Sequence, residues 1–231
     1  PLFICGKPGC SKSYALRLLC NSMNGDDSSH PFFKMYPRVI VHSYQGSRTS
    51  TSEGVLKLFE KARNALKDSS SLQHENEEII SLIVFDEMGL AEISPHNPLK
   101  VIHAQLEYDE QKEEDKVAFV GISNWKLDAS KMNRGIFLSI PEPDEQDLTE
   151  TAITIANTYN NLGQANSELF TGLAKIYHKY RQQLDKDNKE FHGTRDFYHL
   201  IKSISEKLYK SATINNKIEL ANIIKTQLER N

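Results

Sequence analysis

Through about residue 140 the chain alternates short apolar runs with longer stretches of mixed polarity. The apolar runs fall at 1–5, 38–42, 79–85, 116–122 and 136–140, and each reads as a strand. Between them, 14–23, 54–66 and 98–106 carry apolar residues at helical spacing. Ser50-Thr51-Ser52-Glu53 reads as a capping box for the second helix. Pro98 suits the start of the third. Strands alternating with helices predict a parallel sheet with crossover helices. The polar segments 68–78 and 107–115 read as loops, the second a solvated charge run. At Pro141-Glu142-Pro143-Asp144 the pattern changes, as at a linker. Beyond it only amphipathic helices are legible, at 147–159, 167–184, 194–210 and 218–229, with the Asn-rich patch 157–161 as a helix end or loop. The expected organisation is an α/β domain over 1–141 and a small all-helical domain over 142–231.

Composition narrows the function classes. At 231 residues, with 39% apolar and 26% charged positions, the chain suits a globular protein of one large domain, or a large and a small one. No apolar run approaches the roughly 20 residues of a membrane span. A net charge of −3 argues against a dedicated nucleic-acid binder, which carries a basic domain. Cys5, Cys10 and Cys20 form no C-x-x-C pair, and their odd count suits reduced thiols in a cytoplasmic or nuclear setting, of which the cytoplasm is the expectation. The eight histidines show no metal-ligand spacing. The chain opens directly on its first strand with no initiator Met, and is read as a piece of a longer protein.

The chemistry concentrates in two places. Gly6-Lys7-Pro8-Gly9-Cys10-Ser11-Lys12-Ser13 joins the first apolar run to the helix that opens at Tyr14. Strand, glycine loop and helix in that order are what a phosphate-binding loop requires. Glycines let backbone N–H groups turn inward, and the helix N-terminus adds its positive dipole end. Lys12 is placed to reach β- and γ-phosphates and Ser13 to ligate Mg²⁺. Ser11 stands where the usual G-x-x-x-x-G-K-[ST] pattern has its last glycine. The second place is Leu82-Ile83-Val84-Phe85-Asp86-Glu87, an apolar strand ending in two carboxylates. Ligands of parallel sheets bind beyond strand C-termini. Asp86 is expected to hold Mg²⁺ through water and Glu87 to polarise the attacking water; as an alternative, both are solvated loop charges.

Three further positions admit two readings each. Asn124, in Gly121-Ile122-Ser123-Asn124-Trp125, either orients water or γ-phosphate, or caps the segment that follows. Trp125 is expected in core packing. Arg134 is either a guanidinium reaching a neighbour's γ-phosphate or a surface ion pair. Thr194 reads as the cap of its helix, which leaves Arg195 in a first turn whose dipole disfavours cations. Arg195 therefore has an anionic partner, nucleotide phosphate or an acid such as Asp196. Residues 44–48 are expected to meet nucleotide or a neighbouring module.

Taken together, GKPGCSKS, LIVFDEMG, GISNW, KMNRGIF and GTRDF resemble an AAA+ ATPase module. With the longer strings FDEMGLAEISPHNPLK and KVAFVGISNWKLDASKMNRGIF, the chain is similar to the dynein-like AAA+ modules of the mysterin family of giant RING-type E3 ubiquitin ligases. That resemblance implies a sheet in the order 5-1-4-3-2 with a helical lid, and bound ATP with Mg²⁺. It implies Lys12 and Ser13 as the Walker A pair, Asp86 and Glu87 as the Walker B pair, Asn124 and Arg195 as sensors, and Arg134 as an arginine finger acting in trans. Gly6, Lys7, Pro8, Gly9, Cys10, Ser11 and Tyr14 complete the nucleotide-contacting set. The implied partners are neighbouring AAA+ modules of the same chain, and the ubiquitin machinery through other parts of the parent protein. Three activities remain open: an ATP-hydrolysing module, a module that holds ATP without turnover, and a nucleic-acid-remodelling ATPase.

Overall fold

A computed structural model describes residues 1–72, 78–106, 117–128, 135–187, 193–211, 221–222 and 224–226. The chain divides into two units, one formed by 1–7 and 11–141, the other by 8–10 and 142–231.

The first unit is a parallel sheet of β1 (Leu2–Cys5), β2 (Arg38–Gln45), β3 (Ile79–Asp86), β4 (Ala118–Ser123) and β5 (Ile136–Ser139), in spatial order β2-β3-β4-β1-β5. Read from the β5 edge, this is the expected 5-1-4-3-2 order. Alternation along each strand sends neighbouring side chains to opposite faces. Phe3, Ile83, Phe85 and Phe119 join one core, beneath α2 (Ser52–Leu72), α3 (Met88–Glu92) and α4 (Lys100–Gln105). Ile4, Leu82, Val120 and Ile122 join the other, beneath Leu16 and Cys20 of α1 (Lys12–Ser22). Helix α2 faces the sheet with Val55, Leu58, Phe59 and Ala62, and the Phe59 ring stacks on Phe119 at 6.1 Å. Central strands buried on both faces explain the near-continuous apolar runs of β1, β3 and β4.

Several boundaries depart from the sequence reading. Strand β2 runs three residues past the expected end, because every residue from Arg38 to Gln45 pairs in register with 79–86 of β3. Tyr44 and Gln45 are therefore strand residues. Helix α2 continues to Leu72, so the first part of the expected 68–78 loop is helical. A polar composition does not stop a helix that lacks a Gly or Pro breaker. Its N-terminus is capped by Thr51, whose hydroxyl accepts from the Gly54 N–H at 3.1 Å, while the Ser50 hydroxyl turns to the Ser47 N–H. Pro98 precedes α4 by two residues rather than opening it. The charge run 107–115 lies outside the described residues.

The second unit packs α5 (Glu145–Asn157), the short α6 (Leu162–Ala165), α7 (Ser167–Asp187) and α8 (Thr194–Ser211). Leu148, Ala152 and Ala156 of α5 meet Phe170, Leu173 and Ala174 of α7 and Phe197, Ile201 and Ile204 of α8 in one core. Asp144 closes a reciprocal capping box with Asp147 at the start of α5. Glu142 pairs with Arg181 of α7, whose guanidinium also lies over the Tyr177 ring. Burial raises the Tyr177 hydroxyl above its ordinary pKa. Asn160 and Asn161 both take positive φ, which fits a helix end. Residues 221–222 and 224–226 are helical.

Candidate functional site

The C-terminal ends of β1, β3 and β4 bring the candidate chemistry of the first unit together. Between β1 and α1 the chain passes through two left-handed residues, Gly9 at φ 90° and Ser11 at φ 56°. Glycine reaches that conformation without steric cost; serine does not. Ser11 caps α1 in this strained form, and its carbonyl accepts the Ala15 N–H at 2.8 Å. The Gly6 N–H donates to the Ser123 carbonyl at 3.2 Å, tying the loop to β4. A side chain at Gly6 would stand 2.8 Å from the Ile140 carbonyl oxygen, so glycine is needed for this approach.

Lys12 is buried, and its ammonium turns back into the loop. Nζ donates to the Gly6 carbonyl at 2.5 Å, the Lys7 carbonyl at 2.9 Å and Asn124 Oδ1 at 3.0 Å. Asn124 Nδ2 in turn donates to Glu87 Oε2 at 2.8 Å. Ser13 Oγ donates to Asp86 Oδ2 at 2.7 Å, and Asp86 Oδ1 accepts from the Glu87 N–H at 2.8 Å. Glu87 occupies the left-handed region at φ 53° and caps α3. The structure thus joins Gly6, Lys7, Lys12, Ser13, Asp86, Glu87 and Asn124 in two short hydrogen-bonded chains. Asp86 and Glu87 are partners within them, not solvated loop charges. The Asn124 side chain bridges a cation and an anion, which decides against the capping role. Cys5 sits beneath; burial pushes its thiol pKa up, and Lys12 partly offsets this.

Tyr14 lies in the first turn of α1, largely exposed, with the Arg17 guanidinium over its ring. Pro8, Gly9 and Cys10 belong to the second unit. Arg195 is in the first turn of α8 in that unit. Thr194 is not the cap there: it is the first helical residue, buried, and its hydroxyl accepts from Arg181 at 3.4 Å. The preceding Gly193 N–H donates to Asp196 Oδ2 at 2.8 Å, which satisfies the helix start. Arg134 lies outside the described residues. Trp125 is not a core residue: it is 42% exposed, and its indole lies where a side chain on Gly89 would have to stand.

Two features were not legible beforehand. Beside Ser13 and Asp86 opens a cavity of about 540 Å³, bordered by Arg17, Ser43, Tyr44 and Gln45. Gly46 crosses the acid turn closely; its N–H donates to the Asp86 carbonyl, and a Cβ there would stand 2.5 Å from the Glu87 carbonyl oxygen. The Tyr-Gln-Gly string at a strand end was the available signal for both.

A family model described as the RNF213 AAA domain matches residues 1–147. The chain belongs to the RNF213 AAA domain family. It is 39% identical over 211 residues to mouse (Mus musculus) E3 ubiquitin-protein ligase RNF213, covering 90% of this chain and 4% of that protein. With zebrafish (Danio rerio) rnf213-beta it shares 38% identity over 229 residues, 97% of this chain and 4% of that protein. The chain therefore spans about 4% of the length of these relatives. Among solved structures, the ADP form of Aeropyrum pernix ORC2 superposes with a TM-score of 0.61 at 12% identity, covering all of this chain and 62% of that one. A Thermotoga maritima RuvB mutant gives 0.57 at 12% identity, over 97% of this chain and 62% of that one. These likenesses show an AAA+ fold for this member of the RNF213 AAA domain family.

Proposed function

We propose that this AAA domain binds ATP with Mg²⁺ and hydrolyses it, coupling nucleotide state to shape change within a giant cytoplasmic E3 ubiquitin ligase. The observation that carries the reading is the meeting of Ser13 with Asp86, and of Lys12 with Asn124 and Glu87, beyond three strand ends. Bound nucleotide in ORC2 of the same fold supports it. Ser13 and Asp86 present hard oxygen donors 2.7 Å apart, the donor type Mg²⁺ takes. Among the described residues no cluster of three or more His, Cys, Asp or Glu side chains forms a metal cage. An ion shared with phosphates and water would neutralise charge developing at the β- and γ-oxygens.

The remaining steps belong to this chain's own side chains. Lys12 exchanges loop acceptors for phosphate oxygens. Glu87 accepts a proton from the attacking water, and Asn124 orients that water or contacts the γ-phosphate. Gly6, Lys7, Pro8, Gly9, Cys10, Ser11 and Tyr14 surround the phosphates, with Arg195 as lid sensor and Arg134 as the finger toward a neighbouring module. The division into an ATPase domain over 1–141 and a lid over 142–231 is part of this proposal, as are neighbouring AAA+ modules as partners.

The strained Ser11 favours a second reading, in which ATP is held without turnover and stiffens the parent protein. Glu87→Gln separates the two. Under the hydrolytic reading the variant retains ATP while the wild type releases ADP, with turnover lost by roughly 10²-fold or more. Equal nucleotide retention and no ADP from either protein would establish the structural reading instead.

A further inference from the structure

Glu87 caps α3, so the helix that follows it bears on where its backbone stands. Its carbonyl accepts the Leu90 N–H at 2.9 Å, which ties Glu87 into the first turn. Two glycines let that turn lie close to β4 and the segment beyond it. Met88 is buried, and its thioether lies where a side chain on Gly121 of β4 would have to stand. The Trp125 indole answers from the other side: a Cβ on Gly89 would stand 2.5 Å from its Cε2 and 2.6 Å from its Cζ2. A knob from α3 thus enters a slot in β4, and a knob from beyond β4 enters a slot in α3. Glu92 Oε1 fastens the far end of α3 by accepting the Asp128 N–H at 3.0 Å. A helix of five residues does not hold its own shape, so α3 keeps its place through these contacts.

Trp125 is held in its pose from behind. The buried Ser123 Oγ donates to the Trp125 carbonyl at 2.5 Å and accepts its N–H at 3.3 Å, which turns the chain back over α3. We infer that Trp125 is a positioning residue for Glu87: its indole, laid on Gly89, holds the first turn of α3 and so the carboxylate that opens it. This rests on the ATPase reading and adds a residue to it. The left-handed backbone of Glu87, at φ 53°, is one that a non-glycine residue leaves when its surroundings loosen. With the indole gone, α3 is freed at Gly89, the turn relaxes, and the carboxylate departs from the place where it takes a proton from water. The phosphate loop is a separate segment and is untouched, so nucleotide binds as before. Trp125 acts on the reaction only through α3 and Glu87.

The test is single-turnover hydrolysis of ATP with Mg²⁺, and separately ATP affinity, on the full 231-residue chain. The proteins compared are wild type, Trp125→Ala, Trp125→Phe, Gly89→Ala and the Trp125→Ala/Gly89→Ala pair. Trp125→Ala is expected to slow hydrolysis by roughly 10- to 100-fold, the upper figure being the cost of a 1 Å misplacement. Its ATP affinity stays within about twofold of wild type, the split that marks a group acting in the chemical step. Trp125→Phe keeps a flat ring over Gly89 and recovers most of the rate. Gly89→Ala drives the indole and the turn apart and slows hydrolysis likewise. The pair loses no more than its slower member, because both substitutions break one contact. A wild-type rate in Trp125→Ala or Gly89→Ala overturns the inference. So do ATP affinity falling in step with rate, a Trp125→Phe no faster than Trp125→Ala, or losses that multiply in the pair, since each makes the role structural. A wild type that does not bind ATP, or binds it without hydrolysis, removes the ATPase reading itself and this inference with it.

Discussion

Ser11 and Glu87 are non-glycine residues held at φ 56° and 53°, at the two turns that carry the candidate chemistry. Backbone in this region costs a non-glycine residue on the order of 1 kcal/mol or more and persists only where surroundings impose it. At Glu87 the imposing contacts are visible: its N–H is held by Asp86 Oδ1 and its side chain by Asn124. At Ser11 the side chain makes no capping bond to α1. The strain there is therefore relieved at little expense by glycine. Ser11→Gly is expected to stabilise the protein by about 1 kcal/mol, read as a raised thermal midpoint, while Ser11→Ala is not. The departure from the usual motif was visible in the sequence. That serine adopts the glycine conformation was not, since the motif names a residue and not its dihedral angle.

At the scale of elements, the site depends on strands ending together. Pairing of β2 with β3 through Gln45 and Asp86 carries Gly46 onto the acid turn. A Cβ there would come within 3.0 Å of the Asp86 carbonyl oxygen as well as closer to that of Glu87. Backbone cannot retreat as a flexible side chain can, so Gly46→Ala is expected to displace the turn. A misplacement near 1 Å at a reacting group lowers rates roughly 10²-fold. The variant should therefore lose ATP turnover on that order while its far-UV circular dichroism stays that of the wild type. Retained turnover would show that the turn tolerates the methyl. The longer helices followed from apolar spacing; the short α3 and α6 and the helix ends did not. Helix α2 extends through polar residues because nothing in 67–72 breaks it, and β2 extends because its partner β3 is long.

At the scale of the whole molecule, pH response depends on what the fold buries. His42 lies inside the first unit with Nε2 unpartnered. Burial, and then the nearby Lys61 charge, hold its pKa below the ordinary 6.5. The folded protein thus refuses a proton that the unfolded chain accepts below pH 6.5. Stability from His42 is complete above that pH and is lost as pH falls from it toward the lowered folded value. His42→Leu should remove this part of the decline and an orphaned nitrogen with it, gaining about 1 kcal/mol at neutral pH. Urea midpoints taken at about pH 7.5 and about pH 5.5 check it: the gap between variant and wild type should widen at the lower value.

The sequence by itself determined the class of fold, the order of its strands by resemblance, and Lys12, Ser13, Asp86, Glu87 and Asn124 as candidate site residues. Local patterns suffice there: apolar runs with period two, helical spacing, a glycine loop before a helix, acids after a strand. Tertiary structure alone decided that Asn124 lies between Lys12 and Glu87, more than a hundred residues from the first, and that Gly46 presses on the acid turn. It also decided that His42 is buried and that Trp125 is half-exposed against Gly89. These are consequences of strand order and register, which bring distant positions within a few ångströms. No short window of residues encodes such a distance.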